Sequence, residues 1–124
     1  EYEKPLTMDF AFHKKGNLLS RLEWILSNKD NSAEEAFSVI GASSVVYRSY
    51  PFAVFMFQKY WDNPVEGLIE TVNYGGDCDT TGAICGALAG AKNGMTFPEK
   101  WVRELKDADR IAKLGESIYN LRSG

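Results

Sequence analysis

The stretch Asn73-Tyr74-Gly75-Gly76-Asp77-Cys78-Asp79-Thr80-Thr81-Gly82 sets two carboxylates two residues apart, behind two glycines and ahead of two hydroxyls. It runs into Ala83-Ile84-Cys85-Gly86-Ala87-Leu88-Ala89-Gly90-Ala91, which is so poor in polar groups that it predicts a buried helix. Asp77 and Asp79 offer hard oxygen ligands and Thr80 adds a hydroxyl, a set suited to Mg²⁺, Mn²⁺ or Ca²⁺ and not to zinc or copper. In an extended loop, residues two apart point the same way, so the two carboxylates can converge. Gly75 and Gly76 let the backbone turn sharply and approach a ligand closely. Spacing alone leaves a second reading open, in which Asp79 caps the next helix and Asp77 is a solvated turn residue. A calcium loop of the EF-hand type fails, because its twelfth position needs Glu and here holds Leu88. The positive end of the following helix disfavours a bare cation by about 0.5 kcal/mol but welcomes a phosphate. A cation together with an anionic substrate is therefore the better match.

Working outward, Gly82, Gly86, Gly90 and Gly94 recur every four residues on one helix face. Each interior glycine costs up to about 1 kcal/mol relative to alanine, which predicts close approach of another backbone. Met95 to Pro98 reads as a connection into a short helix at Pro98-Glu99-Lys100-Trp101. Ala108, Ile111, Ala112, Gly115 and Ile118 stripe a last helix preceded by Asp107. Upstream, Asn63-Pro64 with Glu66 is a helix start, followed by Val65, Leu68, Ile69 and Val72 as a buried stripe. Phe52 to Trp61 is apolar nearly all round and predicts a central helix, with Pro51 in its first turn. Residues 42–50 read as a loop with some helical character.

Ser32 and Glu35 fit a capping box, with Ala33, Ala36, Phe37 and Ile40 behind it and Gly41 as terminator. Leu18, Leu19, Leu22, Ile25 and Leu26 stripe an earlier helix ending near Ser27-Asn28. Residues 1–16, with Pro5 and Gly16, read as an irregular lead-in. No strand is signalled. The expected architecture is all-α, a multi-helix orthogonal bundle, with 1–124 as one domain or fragment that is helical over 17–122.

The 124-residue chain suffices for one core, and 44% hydrophobic with 13% aromatic residues is an ordinary globular composition. A net charge of −3 with interspersed signs gives no reason to expect nucleic acid or a membrane surface as partner. Cys78 and Cys85 form neither a disulfide framework nor a zinc pattern, so a reducing, cytoplasmic setting is expected. No segment nears the ~18 apolar residues of a membrane span, and no signal peptide is read.

Gly75-Gly76-Asp77-Cys78-Asp79-Thr80, with Gly86-Ala87-Leu88-Ala89-Gly90-Ala91, Gly94, Pro98 and Trp101, closely resembles the C-terminal part of the ADP-ribosylglycohydrolases. Ser49 and Pro51, between Gly41 and Pro51, extend the resemblance upstream, and it runs from about Ala33 to Leu121. It implies an all-α fold with two Mg²⁺ or Mn²⁺ ions in a cleft. The implied reaction is hydrolysis of the glycosidic bond between ADP-ribose and a protein side chain, or of a related ADP-ribose conjugate. Asp77, Asp79 and Thr80 are then metal ligands, with Asp79 as the bridge. Gly75, Gly76, Ser43 and Ser44 are expected to lie near bound ADP-ribose.

The family's N-terminal half, which carries Gly-Asp and Thr-Asp-Asp type motifs and a catalytic acidic residue, has no counterpart here. One loop with three side chains also falls short of the about six oxygens that Mg²⁺ wants. The resemblance therefore implies the C-terminal portion of a larger enzyme, with the N-terminal half as its partner. The alternative is a non-catalytic relative that binds ADP-ribose or serves a structural role.

Other residues read more plainly. His13, the single histidine, is expected at the surface. Cys78 has no histidine placed to activate it and reads as a small loop residue. Phe52, Phe55, Phe57, Tyr60, Trp61 and Trp101 are expected in the core.

Overall fold

The computed structural model describes residues 17–122, so the lead-in at 1–16 and His13 lie outside the described residues. Among those described, seven α-helices and no strand are present, as an all-α fold requires. They are α1 (Asn17–Ser27), α2 (Ala33–Ile40), α3 (Val46–Lys59), α4 (Pro64–Asn73), α5 (Cys78–Asn93), α6 (Glu99–Arg103) and α7 (Ala108–Leu121).

The expected capping box forms at α2. Glu35 N–H donates to Ser32 Oγ at 3.1 Å, and Ser32 N–H donates to Glu35 Oε2 at 2.9 Å. Ala33, Ala36 and Ile40 are buried, and Gly41 ends the helix at φ 79°.

α3 is the hub, packing against α1, α2, α4 and α5. It starts earlier than the sequence pattern suggests, so Pro51 lies inside the helix and not in its first turn. The Val45 carbonyl accepts from the N–H of Arg48 at 2.9 Å and of Ser49 at 3.0 Å, which nucleates the helix before the proline. An interior proline costs about 3 kcal/mol. Burial of Pro51, Phe52, Phe55 and Met56 on one helix outweighs it.

α4 is rolled away from the expected orientation. Gly67 and Thr71 are its buried residues, while Ile69 and Val72 remain 40% and 38% exposed. The cause is close packing at Gly67, where a Cβ would stand 2.6 Å from Cβ of Tyr60. The Thr71 hydroxyl donates to the Gly67 carbonyl at 2.6 Å and lies 3.6 Å from Cys85 Sγ, tying α4 to α5.

α5 is buried on one face only. Thr81, Gly82, Cys85 and Ala89 point inward, while Ala83, Ala87 and Ala91 are exposed. Among the described residues, its glycine row does not meet another backbone. A Cβ on Gly82 would stand 2.8 Å from Val72 Cγ1, one on Gly86 would touch only Leu68, and one on Gly90 would meet nothing. Gly94 serves as the C-cap, its N–H donating to the Gly90 carbonyl. Trp61 and Trp101 are also corrections: both are exposed, because Trp61 follows α3 and α6 buries no residue. The apolar stripe of α7 is present, but none of that helix is buried.

Candidate functional site

The acidic stretch is a tight turn feeding a helix, not an extended loop. Tyr74 anchors its start, its ring centroid 5.3 Å from that of Phe37 and 5.8 Å from that of Phe52. Burial, with Glu34 and Glu70 adding, holds the Tyr74 phenol above its usual pKa. Gly75 and Gly76 follow at φ 80° and 66°, in the left-handed region that side chains disfavour. Asp77 N–H then donates to the Ala42 carbonyl at 2.7 Å. This bond fixes the turn against the segment that carries Ser43 and Ser44. Those serines and Gly75-Gly76 are thus brought to neighbouring positions, with Ser43 half-buried and Ser44 exposed.

α5 begins at Cys78, which places Asp77 at its N-cap and Asp79 and Thr80 in its first turn. The Asp77 side chain makes no capping hydrogen bond. Thr81 N–H makes the first helical bond to the Asp77 carbonyl at 3.0 Å, and the Thr81 hydroxyl lies 3.3 Å from the carbonyls of Asp77 and Cys78. Asp77 and Asp79 thus both stand at the helix start, two residues apart. Hydrogen bonding with the Asp77 side chain, and then with Thr80 N–H at 3.0 Å, holds Asp79 below the usual carboxylate range.

Asp79 also borders an apolar cleft of about 380 Å³ lined by Leu68, Ile69, Val72, Cys78, Gly82 and Trp101. The outward roll of α4 creates this cleft, so the sequence pattern could not disclose it. The Ala42 carbonyl was equally invisible, since a backbone acceptor leaves no mark in residue type. Among the described residues, no three His, Cys, Asp or Glu side chains gather as a metal-holding group. The donor set of Asp77, Asp79 and Thr80 has the right chemistry for Mg²⁺ or Mn²⁺ but only part of the roughly six oxygens needed.

The two cysteines are distinguished sharply. Burial pushes the Cys85 thiol up, with the Thr71 hydroxyl opposing less strongly, whereas Cys78 is half-buried at the cleft. At pH 8, Cys78 should react with a thiol reagent about 100-fold faster than Cys85. Cys78→Ala should abolish the fast phase, and a fast phase that survives it would contradict the assigned burial.

The described residues thus form an all-α bundle with two carboxylates at the start of one helix. Comparison with known proteins gives the family: the ADP-ribosylglycohydrolase family model matches residues 5–124, and the chain belongs to that family. A protein of Archaeoglobus fulgidus without an assigned function is 36% identical over 106 residues, covering 85% of this chain and 34% of its own length. Human ADP-ribosylhydrolase ARH3 is 26% identical over 114 residues, covering 83% of this chain and 31% of its own. The ADP-ribosyl-[dinitrogen reductase] glycohydrolase of Rhodospirillum rubrum is 56% identical over 39 residues, covering 31% of this chain and 13% of its own. The chain spans about a third of the length of the first two relatives. No solved structure matches.

Proposed function

We propose that this chain supplies the Asp-x-Asp-Thr part of the active site of a metal-dependent ADP-ribosylglycohydrolase. The reaction is hydrolysis of the glycosidic bond joining ADP-ribose to a protein side chain or a related conjugate. The observation that carries this reading is the placement of Asp77 at the N-cap of α5 with Asp79 and Thr80 in its first turn, in a chain of this family. The second reading, in which Asp79 serves the helix start, keeps one observation in its favour, since the Asp79 carboxylate accepts from Thr80 N–H at 3.0 Å while Asp77 makes no side-chain capping bond.

In this reading Asp77, Asp79 and Thr80 would hold divalent cations. When bound, Mg²⁺ or Mn²⁺ would supply a polarising positive charge to the reaction. Gly75 and Gly76 give the sugar or phosphate access to backbone that side chains would block. The N-terminus of α5 favours the diphosphate, and Ser43 and Ser44 offer hydroxyls beside it. The remaining metal ligands and the acidic catalyst come from the rest of the glycohydrolase fold, and a cytoplasmic setting belongs to the same proposal.

The test is release of free ADP-ribose from an ADP-ribosylated protein by an enzyme that carries this segment within the whole fold. Release should require Mg²⁺ or Mn²⁺ and cease with a chelator. Tight ADP-ribose binding without release under any metal condition would favour a non-catalytic relative instead.

A further inference from the structure

Arg48 stands in the first turn of α3, and its side chain is only 5% exposed. It reaches back to the end of α2 and lies against Gly41. A Cβ built on that glycine would stand 3.2 Å from Arg48 Nη1 and 3.4 Å from its Cδ. The Arg48 guanidinium carbon lies 6.0 Å from the centre of the Tyr47 ring, and that of Arg21 lies 5.0 Å from the same ring. Burying a guanidinium carries a desolvation cost that a methionine of similar reach avoids. Filling space does not by itself account for an arginine here.

The residue after Gly41 is Ala42, which is buried and is held from the other side by the acidic turn. The Ala42 carbonyl accepts from Asp77 N–H at 2.7 Å and leaves no room for a Cβ on Gly76. Gly41 and Ala42 thus make a short strap with Arg48 packed at one end and the acidic turn docked at the other. The strap belongs to no helix, so the direction of its carbonyl depends on what packs against it. A shift of that carbonyl moves the Asp77 backbone, and with it Asp79 and Thr80 in the first turn of α5.

We propose that Arg48 is a positioning residue for the acidic turn. Packed on the bare Cα of Gly41, it holds the Ala42 carbonyl where Asp77 N–H reaches it, and so sets the aim of both carboxylates. Gly41 then has two duties, ending α2 and admitting Arg48. The consequence for metal binding rests on the function proposed above, whereas the backbone part needs neither metal nor substrate.

Amide hydrogen exchange, read residue by residue by NMR on the 124-residue chain without metal, tests the backbone part. In Arg48→Met the Asp77 amide should exchange at least ~10-fold faster relative to the Phe55 and Met56 amides, which lie deeper in α3. Arg48→Lys keeps the charge but not the planar fork, and should show a smaller rise confined to Asp77. It is the deciding variant if Arg48→Met does not fold. A space-filling arginine would speed all three amides together or none of them, and either result overturns the proposal. In an enzyme that carries the whole fold, Arg48→Met should raise the Mn²⁺ concentration for half-maximal ADP-ribose release at least ~10-fold, with the substrate KM at saturating Mn²⁺ unchanged. A selective rise in Asp77 exchange with an unaltered Mn²⁺ requirement also overturns it, because the strap then does not aim the carboxylates. Release that needs no metal would remove the metal assignment instead and leave the exchange comparison to decide.

Discussion

Asp79→Asn, placed in an enzyme that carries the whole glycohydrolase fold, is expected to lower kcat/KM for ADP-ribose release by at least ~10³, about 4 kcal/mol of transition-state stabilisation. The amide preserves size and can still accept from Thr80 N–H, the 3.0 Å bond that orients this side chain. What it removes is the negative charge on which the proposed metal-ligand role depends. Asp79 is exposed, so the substitution should change stability by no more than about 0.5 kcal/mol. The pairing of a large kinetic loss with an unchanged melting temperature is the discriminating result. Were Asp79 only a helix-start residue, Asp79→Asn would preserve the rate, and Asp79→Ala, which deletes the acceptor of Thr80 N–H, would lower stability by about 1 kcal/mol. Retention of kcat/KM within tenfold in both Asp79→Asn and Asp77→Asn would sink the metal assignment.

The second large effect is structural. Gly76→Ala should destabilise the chain by about 3 kcal/mol, read as a lower urea midpoint at unchanged slope. Two terms add. Holding alanine at φ 66° costs about 1 kcal/mol or more. Its Cβ would also drive into the Ala42 carbonyl oxygen, the acceptor of the Asp77 N–H bond. Relieving that clash breaks the bond, leaving backbone groups unsatisfied at about 1–3 kcal/mol. Gly75→Ala is the internal control: at φ 80° it suffers the conformational penalty, but its Cβ meets nothing within 4 Å. Equal destabilisation by the two variants would contradict the contact with Ala42.

Local signals carried most of the helical organisation. The Ser32/Glu35 box, the Gly41 terminator and the Asn63-Pro64 start all sit within one turn of the residues they govern, and each forms as its chemistry dictates. Even there Asn63 takes the N-cap position without a side-chain cap bond. The failures are tertiary. Pro51 signals a first turn locally, yet the buried face of α3 keeps helix on both sides of it. The period of α4 was legible, but which of its faces turns inward depends on how tightly Tyr60 packs on Gly67. Apolar residues on α4, α6 and α7 promised burial that the described residues do not supply, because periodicity reports a face and not its partner. At the site, Asp77, Asp79 and the two glycines were legible as chemistry. The bond from Asp77 to Ala42 was not, since nothing in residue type marks a backbone acceptor.

That bond spans 35 residues of sequence, from Ala42 to Asp77. Most helical contacts form over a few residues and on fast timescales, whereas closing a loop of this length must first overcome its chain entropy. The helical turns of α2, α3 and α4 can therefore be established before the acidic turn is pinned in place. Mutations that loosen the docking of α2 on α3 would delay that closure, so refolding kinetics followed at the turn should lag behind the recovery of helix content.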